Sequence, residues 1–163
     1  MNFTNSKSQL FFFAILLFSL LNCTTSSVNL ADERHAIQAI LQKERKAHFE
    51  KDIDLFLSTF SDSIISVYGG AVEVNTPADN KARFGPYFKS VEFIKWDDTA
   101  EPMIDISDDG TMAYAVLQKE IVLTYPDTLG NALTDSANYA WVTVYRKING
   151  EWKAVCNAST SKE

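Results

Sequence analysis

Tyr139-Ala-Trp-Val-Thr-Val-Tyr-Arg-Lys-Ile-Asn-Gly-Glu-Trp-Lys-Ala-Val-Cys-Asn-Ala-Ser-Thr160 places two alternating β-type runs on either side of Asn149-Gly150. Asn-Gly tolerates the two positive-φ positions of a type I′ turn, so the stretch predicts a tight antiparallel hairpin. A two-residue turn also sets the register. Lys147 falls opposite Trp152, Tyr145 opposite Ala154, Thr143 opposite Cys156 and Trp141 opposite Ala158, with all eight on one side of the pleat. Large side chains on the first strand meet small ones on the second. Such a face closes into a packed core or leaves a hollow where a ligand sits.

At the other end of the chain, Lys7 precedes an apolar run from Leu10 to Leu21 that is too short to span a bilayer and suits the core of a signal peptide. Leu20-Leu21-Asn22-Cys23 resembles a bacterial lipobox. That resemblance implies a signal peptide over 1–22, lipid attachment at Cys23 and a cell-envelope location, periplasmic or on the outer surface. Contact with the membrane would then be through the anchor only, and the protein would be secreted if Cys23 is not lipidated. Residues 23–29 read as a polar tether, and residues 30–163 as one domain large enough for a real core.

The 163 residues hold 15 Lys and Arg against 21 Asp and Glu, a formal charge of −6. An acidic surface argues against nucleic acid as a partner. With Cys23 used for lipid, Cys156 has no partner in the chain and reads as a small hydrophobe. Two His residues without paired spacing give no metal site, and no Gly-rich phosphate cradle or nucleophile elbow is present, so no cofactor is expected.

Between these ends, Ala31 to Glu50 predicts a helix, with Ile37, Ile40 and Leu41 at helical spacing and no Gly or Pro. At about 100° per residue, Glu44 and His48 point within about 20° of Ile37. Two polar side chains thus lie in the middle of an apolar stripe, where burial without partners is costly. Asp52 can cap a second helix bearing Ile53, Phe56, Leu57 and Phe60. Ile64–Tyr68 and Ala71–Val74 read as a strand pair around Gly69-Gly70. Thr76-Pro77 starts a third helix, interrupted at Gly85-Pro86. Further strands complete the chain. In Val91–Asp97 the alternation puts Phe93, Lys95 and Asp97 on one side and Ile94 and Trp96 on the other; Met103–Ser107, Thr111–Tyr125 and the terminal hairpin make up the rest. Helices segregated to one side of a curved antiparallel sheet define an α+β fold with a single concave face.

His48-Phe49-Glu50-Lys51-Asp52, Ile106-Ser107-Asp108-Asp109-Gly110 before Ala113-Tyr114, and Tyr145-Arg146-Lys147 with Gly150-Glu151-Trp152 together make residues 31–160 resemble the nuclear transport factor 2-like superfamily, within it the SnoaL-like and ketosteroid-isomerase-like domains. The resemblance implies a cone-shaped α+β domain with N-terminal helices on the concave face of the sheet, a pocket inside the cone and a homodimer built across the sheet. The last-strand positions that hold His in binding relatives correspond to Cys156 and Ala158, and Trp141 stands where some relatives carry an inward Arg. No isomerase Tyr and Asp pair can be placed by motif.

The residues expected to form a site are therefore Glu44 and His48, a candidate acid/base pair one helical turn apart, facing Tyr114, Trp141, Tyr145 and Cys156 as ligand-binding lining. Three functions fit them: binding of a small, largely apolar molecule without catalysis; a SnoaL-like cyclase, isomerase or hydratase using Glu44 and His48; and a dimeric interaction module.

Overall fold

The computed structural model describes residues 28–162. The expected signal peptide and Cys23 lie outside them. Helix α1 spans Leu30–Glu50; the Asn29 side chain accepts from Ala31 N at 3.1 Å at its start, and Lys51 leaves it in a left-handed conformation at φ 53°. Asp52 then caps the short α2, Ile53–Leu57, accepting from Leu55 N at 2.8 Å. Phe60, expected at the end of that helix, instead opens strand β1, Phe60–Tyr68, which pairs with β2, Ala71–Asn75.

Helix α3, Pro77–Ser90, begins in a reciprocal capping box between Thr76 and Asp79. It runs unbroken through Gly85-Pro86, where the sequence predicted an interruption. An interior proline costs roughly 3 kcal/mol, and the aromatic packing of the same turn offsets it. Phe84 and Phe88 lie 5.4 and 5.5 Å from Phe56, and Tyr87 lies 5.6 Å from Phe93, centroid to centroid.

Strands β3 (Glu92–Asp98), β4 (Met103–Ile106), β5 (Met112–Pro126), β6 (Ala132–Ile148) and β7 (Glu151–Lys162) complete a seven-stranded sheet in the order β2-β1-β7-β6-β5-β3, with β4 also on β5. The predicted hairpin turn is present, Asn149 and Gly150 both at positive φ (52° and 84°). All neighbours are antiparallel except β1 and β7, which run parallel, so the sheet is mixed. The helices pack on one side of this curved, unclosed sheet, and the α+β class read from the sequence holds.

Two β-bulges change which residues face the helices. In the terminal hairpin Tyr145 pairs with Ala154 as expected, but Val144 then pairs with Cys156, leaving Val155 as an extra residue. Thr143 therefore faces Asn157 and Trp141 faces Ser159, instead of Cys156 and Ala158. In β3 the pairing passes from Phe93–Leu123 to Lys95–Val122, so Ile94 is extra and Trp96 joins Phe93 on the helix side. A bulge adds one residue to one strand and inverts the parity of everything beyond it.

The main core lies between α1 and the sheet: Ile37 and Leu41 against Leu117, Ala115, Tyr145, Trp152 and Ala154. A second, aromatic cluster joins Ala47, Phe56 and Phe88 at the other end of α1. Glu33 ties the first turn of α1 to the hairpin, accepting from Trp152 Nε1 at 2.7 Å and pairing with Lys147 at 2.5 Å.

The bulged register has a direct check. Ala154 is fully buried against Tyr145, so Ala154→Leu should overpack the core and cost about 1–3 kcal/mol in urea unfolding. Cys156→Leu, on the other face, should stay within about 0.5 kcal/mol of the parent. Equal destabilisation by both would mean that the two positions share a face.

Candidate functional site on the concave face

The C-terminal half of helix α1 sets His48 against Phe93 and Trp96 of β3 and Glu44 within the field of Lys119 on β5 and Tyr145 on β6. His48 is 3% exposed and sits in an aromatic box. Its ring stacks on Trp96 at 3.6 Å and lies 4.9–5.0 Å from Phe56, Phe88 and Phe93. Nδ1 is 2.7 Å from the Glu44 carbonyl oxygen, which can only accept, so Nδ1 carries a proton. Burial pushes the imidazole down to about 4; the Glu44 carbonyl opposes that shift and the charge of Lys119 adds to it. At neutral pH His48 is an uncharged packing group.

Glu44 and His48 thus meet through backbone and ring, and no hydrogen bond joins their side chains. The carboxyl of Glu44 instead reaches Thr59, Oε1 lying 3.2 Å from Oγ1. The Thr59 hydroxyl also lies 2.8 Å from the Phe56 carbonyl, and it has one proton to give. That proton is shared between the Phe56 carbonyl and, at the longer distance, the Glu44 carboxyl. Burial raises the Glu44 carboxyl to about 7, against the opposing pull of Thr59 and Lys119.

Tyr145 lies on the same face and is 0% exposed. Its hydroxyl has no hydrogen-bond partner among the described residues. The neighbouring Thr143 hydroxyl accepts from Asn157 Nδ2 at 2.9 Å. Burial, and next the charge of Glu44, push the phenol up, and the Thr143 hydroxyl pulls the other way. Trp141 packs at the edge of the core, 6.1 Å from Trp96.

Three of the remaining expected positions fall elsewhere. Tyr114 pairs with Val144, and Val144 with Cys156, so both Tyr114 and Cys156 point to the outer face of the sheet, away from Glu44. Cys23 lies outside the described residues. Among those residues no group of three metal-ligating side chains occurs.

Comparison with known proteins gives no matching family model and no matching curated relative. Solved structures do match. A ketosteroid isomerase-like protein from Erwinia carotovora atroseptica aligns with TM-score 0.62 at 17% identity, over 79% of this chain and 95% of that one. A nuclear transport factor 2 superfamily protein from Salmonella enterica aligns with TM-score 0.63 at 17% identity, over 82% and 94%. The fold is that of the nuclear transport factor 2-like proteins. The association domain of C. elegans CaMKII shares it as well, with TM-score 0.55 at 17% identity over 80% and 96%. At such identities the likeness shows the fold alone.

Within this nuclear transport factor 2-like cone, the sequence reading missed a buried cation. Lys119 is 4% exposed and its ammonium pairs with Asp98 at 2.5 Å. The signal was present, since Lys119 shares a strand face with Ala113, Ala115, Leu117 and Ile121 in otherwise apolar alternation. Trp96 and Asn157 gave no such signal, because each lies beyond a bulge.

The two titrating groups oppose one another in stability. Glu44, raised from 4.5 to about 7, favours the folded state at low pH and loses that contribution as pH rises from 4.5 to 7. His48, lowered from 6.5 to about 4, contributes fully above 6.5 and loses it as pH falls to 4. Between pH 4.5 and 6.5 the two should largely cancel. Glu44→Gln should therefore leave a stability that rises with pH over that window, and at pH 8 it should be more stable than the parent by on the order of 2 kcal/mol. Chemical denaturation across pH measures both.

Proposed function

We propose that the protein binds a small, largely apolar molecule bearing one polar oxygen, held inside the cone between α1 and strands β5–β7. The observation that carries this reading is the Tyr145 hydroxyl, fully buried and unpartnered beside a carboxyl that titrates near neutrality. An unsatisfied buried donor costs about 1–3 kcal/mol, and a ligand oxygen would recover it. Half-buried Trp141, packed against the core cluster that contains Tyr145, offers apolar surface on the same side. Apolar probes should quench or shift tryptophan fluorescence on binding. Trp141→Ala should weaken them, and Tyr145→Phe should weaken ketone- or alcohol-bearing probes by about tenfold, equivalent to 1.4 kcal/mol, while sparing pure hydrocarbons. Unchanged binding in both variants would sink the reading.

Proton transfer on such a ligand is the second reading, favoured by the Glu44 carboxyl at about 7, within the range suited to general acid/base work at neutral pH. In it Glu44 moves the proton and Tyr145 stabilises developing charge, while neutral His48 only positions Glu44. Glu44→Gln would then abolish turnover without loss of stability.

The outer face supports assembly alongside either reading. Two rows of apolar side chains cross the sheet there, Val72-Val67-Ala158-Val142-Val116-Met103 and Val74-Ile65-Cys156-Val144-Tyr114. Val72 and Val74 are 69% and 68% exposed. A self-complementary patch of this kind fits a homodimer across the sheet. Sedimentation should give a dimer that Val74→Glu with Tyr114→Lys reduces to monomer without unfolding. A location in the cell envelope through a lipid on Cys23 belongs to the same proposal, and mass spectrometry of the mature N-terminus tests it.

A further inference from the structure

One row across the inner face of the sheet is polar. Ser66 of β1 stands beside Asn157 of β7, and Asn157 is the cross-strand partner of Thr143 of β6. Two hydrogen bonds lie along this row and both point the same way: Asn75 Nδ2 donates to Ser66 Oγ at 3.4 Å, and Asn157 Nδ2 donates to Thr143 Oγ1 at 2.9 Å. Two residues on from Thr143, on the same face of β6, is Tyr145 with its buried, unpartnered hydroxyl. Asn157 looks inward only because Val155 is extra; in an unbulged strand Cys156 would take its place.

A hydroxyl has one proton and two lone pairs. The buried Thr143 hydroxyl uses a lone pair on Asn157 and keeps its proton, for which no hydrogen-bonded acceptor occurs among the described residues. Its influence on Tyr145 has the sign of a donated bond, opposing the rise of the phenol. A phenol oxygen that faces a donor turns its own proton the other way, into the interior. The amide of Asn157 thus decides, two side chains away, which half of the Tyr145 hydroxyl is offered.

We propose that Asn157 is a positioning residue for recognition: by donating to Thr143 it sets Tyr145 as a donor, so that the oxygen taken inside the cone is an acceptor without a proton of its own, a carbonyl or an ether. The inference rests on the cone reading above and adds the polarity of its polar contact. An N–H ligand in the same place would meet a second donor, leaving one of the two buried without a partner at a loss of about tenfold in affinity.

Indanone, an acceptor, and indole, a donor of similar size, are the probes, titrated into the purified protein by calorimetry. Tyr145→Phe removes the contact and fixes the baseline ratio of the two affinities. Against that baseline the parent should favour indanone by about tenfold. Asn157→Asp replaces a donating amide with an accepting carboxylate, so that Thr143 turns round, Tyr145 donates to it, and the ratio should shift by about tenfold or more toward indole. In a Thr143→Val background the same change should leave the ratio unmoved, because the link is gone; a direct effect of the new charge would move it all the same and overturn the relay. Asn157→Leu, which neither donates nor accepts, serves if the aspartate variant does not fold, and should return the ratio toward the baseline. Equal weakening of both probes by Tyr145→Phe, or a ratio that neither Asn157 variant moves, overturns this inference and leaves binding inside the cone standing. Failure of both probes to bind, or binding indifferent to Tyr145→Phe and Trp141→Ala, overturns the cone reading and this inference with it.

Discussion

The enclosure of His48 by four aromatic rings is the contact on which the geometry of the concave face depends. Phe56 comes from α2, Phe88 from α3, and Phe93 and Trp96 from β3, so one imidazole gathers every element at that end of the cone. Burial keeps the ring uncharged at neutral pH, and its Nδ1–H bond to the Glu44 carbonyl sets its orientation. An ion pair from α1 to β3, Arg45 to Asp97 at 2.9 Å, adds a solvent-side tie that is weak by comparison. With the C-terminal half of α1 fixed, Glu44 is set at its depth over Thr59 and Tyr145.

The interior behind that box holds polar groups whose needs are only partly met. Desolvation of Glu44 outweighs the attraction of Lys119, and the carboxyl holds its proton near neutrality. Tyr145 is buried without a partner, and Lys119 is buried with one. A domain selected for stability alone would replace such groups with hydrocarbon. Their presence along one face, while the aliphatic core of Ile37, Leu41, Leu117 and Ala154 fills the other end, separates the part of the cone that holds the fold together from the part that has chemistry to offer.

Much of this was legible from residue order. The Asn149-Gly150 turn, the Asp52 and Thr76 caps and the stripe of α1 obey local rules, and Glu44 and His48 were visible as polar residues on an apolar stripe. Their relation was not, since whether a carboxyl meets an imidazole or a threonine is decided by tertiary packing. Tyr114 and Cys156 were misplaced for two reasons. Cys156 lies past the bulge at Val155, which leaves no compositional trace, and Tyr114 has the parity of Met112 and Val116 on the outer face. Lys119 could have been found by taking the alternation of β5 literally. Pro86 reads as a break only if the aromatic residues around it are ignored.

The bulge at Val155 also means that β7 is written in two phases. Before it, even-numbered residues such as Trp152 and Ala154 look inward; after it, odd-numbered ones such as Asn157 and Ser159 do. The interior and the apolar outer face are therefore interleaved letters of one strand, and a single-residue insertion or deletion there would exchange them wholesale. Any residue-by-residue matching of this strand to a relative with an unbulged last strand transfers the lining of one surface onto the other.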